Sequence, residues 1–490
     1  MSFTSKLFRL YLDYRLRRID RFRRHPHAVQ QEQFRARLAA GRKTAFGRDH
    51  GLQGVRTLEQ FQQAVPTTDY EGFKGYVERM LAGERSVTAP GVVSFYARSS
   101  GTTSDRSKYI PITRHSILWN HTLGMRDVVA MYLDAYPASK LLQGKTLTLG
   151  GSCMMEGKNL VGDLSGVLLH ETARWGTSLR APKIETALLA DFEQKIAHIA
   201  AECTSQRITA FAGVPSWNLE LMHGILQYTG KKNLLEVWPD LELFLHGGVE
   251  FAPYRRAFEE LIPSEQMHYW ENYNASEGFF AAQDDASRDD MLLMLDYGTF
   301  YEFRDGDRVV PLEGVEVGKT YAIIITSDNG LWRYEIGDTV TFTSTDPYRI
   351  RFAGRTRQFI NVFGEELIVD NADRALVEAC QKTGAVVHDY SVAPIYMSVD
   401  RQGAHEWIIE FEQQPASIEA FSEELDRALR AVNSDYDAKR RSTIERQHLT
   451  LVERGFFLQW MRSRGKNKVP RLVQDRRVAD DMHKELNKQK

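Results

Sequence analysis

The feature that most restricts what this chain can fold into begins near Gly144. Short apolar runs, each closed by glycine or proline, alternate there with longer stretches of helical pattern. "KTLTLGGS", "ITAFAGVPS" and "LELFLHGGVE" are too short for ordinary helices, and "IETALLADFEQKIAHIAAECTSQ" separates the first two. Strands alternating with helices predict an α/β layered body. After Tyr297 the strands crowd together as "GTFYEFRDG", "TYAIIITSDNG" and "DTVTFTSTDPYRIRFAG", with Gly, Asp and Asn turns between them. That crowding predicts a β-rich subdomain. Past "NVFGEELIVD" a helix restarts from Asn371 to Lys382. The runs "VVHDYSVAPIY" and "EWIIEFEQQP" follow, then the helix "IEAFSEELDRALRAVNSDY". These make a small α+β domain of about 130 residues, an ordinary domain size.

A chain of 490 residues exceeds one ordinary core, so two domains are expected. The expected division is 1–356 and 357–490, with a basic helical segment over 1–50. Hydrophobic residues at 42% and charged residues at 26% describe a folded chain, and the net charge of −2 gives no global field for nucleic acid. Cys153, Cys203 and Cys380 are widely spaced and odd in number, without a CxxC or Cys/His cluster. Neither a disulfide framework nor a structural zinc site is suggested, and a reducing, cytoplasmic setting is expected. No apolar run approaches the roughly 20 residues that span a bilayer, so no transmembrane segment is expected. The first 26 residues carry eight Lys/Arg against two Asp, with Phe8, Leu12, Leu16 and Ile19 near helical spacing. Such a helix either docks its apolar stripe on the body or lies against a membrane surface or partner; docking is the plainer reading.

Five polar segments carry candidate chemistry. "RSSGTTSDRSK" has hydroxyl donors, a glycine allowing close approach and Lys108, the ingredients of an anion cradle. It is not GxxxxGK[ST], and a polar turn has the same composition. "GVEVGKT", Gly314 to Thr320, mimics that phosphate-loop pattern but is one residue short and leads into a strand, so it is a turn. "ENYNASEGFFAAQ" offers Tyr273 for stacking and Glu277 for a hard cation, or else a helix capped by Ser276. "GLWRYEIGDTV" places Asp338 where a carboxylate can take vicinal ribose hydroxyls; the alternative is a hairpin with a surface Arg333–Asp338 pair. "FAGRTRQFINVFGEEL" holds Arg355 in a polar link to the C-terminal region, and "RSRGKNKVPRL" puts Lys466 and Lys468 in a basic loop.

In this order and spacing the segments resemble the adenylate-forming enzyme superfamily. Within it they are most similar to the auxin-responsive promoter (Gretchen Hagen three) family of acyl acid–amido synthetases, bacterial type. "SSGTTSDRSK", "HGGVEF", "YNASE", "RYEIGD" and "GRTRQFINVFGEEL" carry the resemblance over roughly residues 95 to 370, and "NKVPR" extends it. The resemblance implies a large N-terminal adenylating domain and a small mobile C-terminal one. It implies that Ser99, Ser100, Gly101, Thr102 and Thr103 hold the phosphates of ATP, with Lys108 nearby. Gly247 and Gly248 would border the adenine pocket and the acyl carboxylate. Tyr273 would flank adenine, Ser276 would lie near phosphate, and Glu277 would bind Mg²⁺. Asp338 would take the ribose, Arg355 would sit at the ribose and hinge, and Lys468 would be the C-terminal catalytic lysine. Asp105 stands where plant members tend to have a glycine, and the lysine loop is shorter than theirs.

The implied activity adenylates a small carboxylic acid, releases pyrophosphate, and passes the acyl group to an amine, that of an amino acid. Thioester formation with coenzyme A after the same adenylation is the alternative. A nucleotide-binding scaffold without catalysis is a reading from another class, against which the presence of both Glu277 and Lys468 argues.

Overall fold

The computed structural model describes residues 3–99, 108–172, 179–247, 251–355, 359–398, 401–464 and 469–489. Local chemistry sets the first helices. Pro26 opens Pro26–Gly41, and Thr57 and Gln60 form a reciprocal capping box on Leu58–Ala64. The Asp69 side chain accepts from Glu71 N and Gly72 N at the start of Tyr70–Leu81.

The basic N-terminal helix, Phe3–Arg24, is docked on the body from Leu12 onward. Leu12, Ile19 and Phe22 are buried. Arg15 is buried on the same face and meets Asp127 through two guanidinium nitrogens, Nη2 to Oδ2 at 2.7 Å and Nε to Oδ1 at 3.0 Å. Tyr297 Oη donates to the same carboxylate at 2.7 Å. Arg23 reaches Asp284 at 2.6 Å. The cations of this segment thus hold it to the body. Among the described residues, no helix is long and apolar enough to cross a membrane.

Among the described residues the main sheet has twelve strands. Lys145–Thr148, Ile208–Gly213, Leu243–His246 and His268–Ala275 run parallel, with helices returning between them. The three apolar runs read from sequence are the first three of these strands. Gly278–Ala282, Met291–Leu293, Tyr348–Arg355, Tyr334–Thr345, Thr320–Ser327, Thr299–Asp305 and Arg308–Pro311 continue the sheet in antiparallel order. His268–Ala275 is therefore the switch strand, parallel to one neighbour and antiparallel to the other. A smaller four-stranded sheet carries the hairpin Phe95–Ser99 with Lys108–Ile112. The turn ending at Thr320 does feed a strand.

Beyond residue 358 a three-stranded sheet, Val386–Ile395, Ala404–Gln413 and His448–Val452, is flanked by helices. Val369–Thr383 and Ile418–Val432 lie over one face, and Phe456, Trp460 and Met482 cluster with Ile408 on another side. The core beneath the first face is continuous with the helices of the main body: Leu219, Trp238 and Phe258 share one cluster with Ile360, Phe363, Leu376 and Trp407.

Candidate active site

Ligands of open α/β sheets bind beyond the carboxyl ends of parallel strands, where the strand order changes. In this chain that address belongs to the ends of Leu243–His246 and His268–Ala275. Gly247 follows the first. A Cβ there would stand 2.3 Å from the carbonyl oxygen of Asn272, so only glycine lets the two strand ends approach this closely. The Asn272 side chain returns a hydrogen bond to His246 O at 2.8 Å. Replacing Gly247 by alanine is expected to push the end of the switch strand aside. The expected result is a lower melting temperature, the overpacking cost being about 1–3 kcal/mol.

Tyr273, next along the switch strand, donates its hydroxyl to Asp338 Oδ2 at 2.6 Å. Both are buried, at 7% and 4% exposure. Asp338 lies on Tyr334–Thr345 and is paired in register with Arg355. Three segments distant in sequence thus place Tyr273, Asp338 and the backbone of Arg355 together. The Arg333–Asp338 pair does not form. Arg333, at φ 43°, instead grips Glu302 through two nitrogens at 2.9 and 3.1 Å and the carbonyls of Gln62 and Val65, all from inside the body.

Ser276 and Glu277 form the turn of a hairpin in which Ala275 pairs with Gly278, which corrects the alternative of a helix capped by Ser276. Gly278–Ala282 is a wholly buried strand between two others, and sheet pairing overrides the helical reading of "EGFFAA". Two buried asparagines hold this turn by its backbone. Asn329 Nδ2 donates to Glu277 O at 3.1 Å while its Oδ1 accepts from Thr113 N at 3.1 Å. Asn120 Oδ1 accepts from Phe279 N at 2.7 Å. Neither asparagine is signalled by a motif; Asn329 sits in "SDNG", which reads as turn composition alone. Asn329→Ala strips partners from two backbone groups and is expected to cost about 1–3 kcal/mol in denaturant unfolding.

The hairpin of the candidate phosphate cradle is described on both sides of its tip. Ser99 and Lys108 face each other in register. Lys108 Nζ lies 5.8 Å from the centre of the Tyr70 ring, and Tyr70 Oη accepts from Tyr109 N at 3.0 Å. Burial pushes the Tyr334 hydroxyl well above the ordinary tyrosine range, and the nearby Glu277 carboxylate and Tyr70 push the same way. Tyr334 thus lies near both Tyr70 and Glu277. Ser100, Gly101, Thr102, Thr103, Asp105, Gly248, Lys466 and Lys468 lie outside the described residues, and Ser99 and Arg355 are described by backbone only.

The family models decide what this arrangement belongs to. The GH3 family N-terminal domain matches residues 15–159 and 152–267, its central domain 292–355 and its C-terminal domain 370–477. The chain belongs to the GH3 family. Among curated GH3 relatives, the indole-3-acetic acid-amido synthetase GH3.4 of Arabidopsis thaliana is 22% identical over 444 residues, 74% of each chain. The putative indole-3-acetic acid-amido synthetase GH3.9 of the same plant is 22% identical over 504 residues, 84% of this chain and 85% of the relative. Among solved structures, the GH3.15 acyl acid amido synthetase superposes with a TM-score of 0.58 at 17% identity, covering 94% of this GH3 chain and 93% of its own. A 2-hydroxyisobutyryl-CoA ligase bound to 2-HIB-AMP and CoA superposes at 0.60 with 16% identity, covering 94% and 92%. The GH3 chain described here thus has the adenylate-forming fold, and its large N-terminal sheet-and-helix body and β-containing C-terminal part are as expected from sequence.

Proposed function

We propose that the chain is an ATP-dependent acyl acid–amido synthetase. The observation that carries this is the meeting of Tyr273, Asp338 and the Glu277 turn at the carboxyl end of the switch strand in a GH3 chain. A carboxylate is a poor acyl donor because oxide would have to leave. Attack by its oxygen on the α-phosphorus of ATP breaks the bond to the β-phosphate bridge, releases pyrophosphate and leaves an acyl adenylate. An amine then attacks the acyl carbon, AMP leaves with the bonding pair, and the amine proton passes to solvent or a base.

The residues divide this work by position. Asp338, oriented by the Tyr273 hydroxyl, takes the ribose; the Tyr273 ring and Gly247 form the adenine side. Ser99 to Thr103 and Lys108 meet the phosphates, and Lys468 supplies charge at the α-phosphate from the C-terminal domain. Arg355 marks the turn into that domain, residues 357–490. Mg²⁺ would be held by Glu277 with the nucleotide's own phosphates and would neutralise charge building on them. A single protein carboxylate suits this ion, which is held by one or two carboxylates plus substrate oxygens, and no cluster of three ligating side chains occurs among the described residues. Fixed donors aimed at developing charge make up most of such catalysis, so few acid–base groups are needed.

The second reading is transfer to coenzyme A, supported by the likeness in fold to the CoA ligase. One experiment separates the two. Carboxylate-dependent ATP–pyrophosphate exchange is measured over a panel of acids, then products with amino acids or coenzyme A are identified by mass spectrometry. An amide product is expected; a thioester alone selects the second reading. ATP binding without exchange for any acid overturns both.

A further inference from the structure

The ribose and phosphate ends of the candidate site stand on different sheets. Asp338 belongs to the twelve-stranded sheet and Lys108 to the smaller four-stranded one, and among the described residues no strand of one pairs with a strand of the other. Lys108–Ile112 is the outer strand of its sheet, so one row of its backbone groups has no neighbouring strand among the described residues. Ties to the body stand at both of its ends. At the far end the next residue, Thr113, donates from N to Asn329 Oδ1 at 3.1 Å and from its hydroxyl to Asp328 O at 3.0 Å. At the near end, beside Lys108, Tyr109 N donates to Tyr70 Oη at 3.0 Å. Tyr70 is buried, and Lys108 Nζ lies over its ring, 5.8 Å from the centre.

Tyr70 is itself fixed from the main sheet. Thr68 joins the strand Tyr334–Thr345 as a parallel bridge: its N–H donates to Arg333 O at 3.1 Å, and its carbonyl accepts from Glu335 N at 2.8 Å. Arg304 Nη2 reaches both Thr67 Oγ1 and Glu335 Oε1 at 2.6 Å. The Asp69 side chain then starts the helix Tyr70–Leu81. A Cβ at Gly72 would stand 2.2 Å from Thr68 Oγ1, so the bend from bridge to helix is closely packed. Phe73, one turn on, meets Tyr334 edge-on with 5.9 Å between ring centres.

We infer that Tyr70 is a positioning residue for Lys108, and that Thr67 to Tyr70 form a strap setting the phosphate end of the site against the ribose end. The inference rests on the proposed function, in which Asp338 takes the ribose and Lys108 meets the phosphates. A lysine is a point charge on a flexible stem, so its place depends on where its backbone stands and on what its stem lies against. The Tyr109–Tyr70 hydrogen bond sets the first, and the Tyr70 ring sets the second. A nucleotide held at both ends spans the two sheets. A small shift of the outer strand therefore moves the ammonium off the phosphates without disturbing Asp338.

The test uses the full chain. Amide hydrogen exchange needs no nucleotide. In Tyr70→Phe, which keeps the ring and loses the acceptor, the Tyr109 amide is expected to exchange about tenfold faster while the helix Tyr70–Leu81 keeps its protection. Calorimetric binding of ATP with Mg²⁺ then reads the link to Lys108. Tyr70→Leu is expected to raise Kd about fivefold, the scale of one cation–π contact, and to change it by less than about twofold in a Lys108→Met background. A merely structural role weakens binding equally in both backgrounds, and that additive outcome overturns the inference. So does a Tyr109 amide that exchanges in Tyr70→Phe as it does in the parent. Lys108→Met binding ATP as tightly as the parent overturns the inference together with the proposed place of Lys108. A parent chain that binds no ATP overturns the proposed function alone, and the Tyr109 exchange then decides for or against Tyr70 as the holder of this strand.

Discussion

Asp127→Ala is expected to destabilise the main body by about 3–5 kcal/mol, the cost of leaving a buried cation without its carboxylate. Arg15 would keep only the more distant oxygen of Asp296, 3.4 Å away, and the Tyr297 hydroxyl would lose its acceptor. The loss should appear in urea unfolding as a lower midpoint with a similar slope. Removing both charges together, as Arg15→Met with Asp127→Leu, should recover part of it, the buried Asp296 then keeping Arg18 at 3.9 Å as its cation. If Asp127→Ala alone costs under 1 kcal/mol, the docked helix is an ornament of the fold, contrary to the burial of Arg15.

The second large effect is catalytic. Glu277→Ala and Lys468→Ala are each expected to reduce carboxylate-dependent ATP–pyrophosphate exchange by at least about 100-fold, the scale of losing one fixed charge-stabilising group. The Glu277 variant should also weaken calorimetric binding of ATP in the presence of Mg²⁺ while sparing binding in its absence. Because Asn329 and Asn120 hold the turn by its backbone, the substitution should leave the melting temperature within a degree or two. Exchange that survives both substitutions unaltered removes these residues from the site.

How much of this was legible beforehand depends on how local the deciding interaction is. Lys145–Thr148, Ile208–Gly213 and Leu243–His246 were plain because each is an apolar run ended by glycine or proline, whereas the polar His268–Ala275 was not; the N-terminal helix was plain because its stripe repeats at helical spacing. Tyr273 and Asp338 could be named from their motifs, but their hydrogen bond joins residues 65 apart in sequence. Ser276 misled in the helical direction because Ser before Glu-Gly-Phe-Phe-Ala-Ala is sound capping chemistry; the flanking strands that decide otherwise are not in that window. Arg333 misled for the same reason, its true partner Glu302 lying on a strand two places away in the sheet.

The switch strand has a consequence for cutting the chain in two. His268–Ala275 is the common wall of both halves of the twelve-stranded sheet, hydrogen-bonded on one edge to the parallel strands and on the other to the antiparallel ones. A break in the exposed turn before it, around Ser264 to Gln266, leaves the upstream fragment with the bare edge of Leu243–His246. The downstream fragment keeps the switch strand but bares the edge that faced it. Raw edges of this kind seek any partner strand. Co-expressed fragments should therefore reassemble at this seam, and each alone should aggregate.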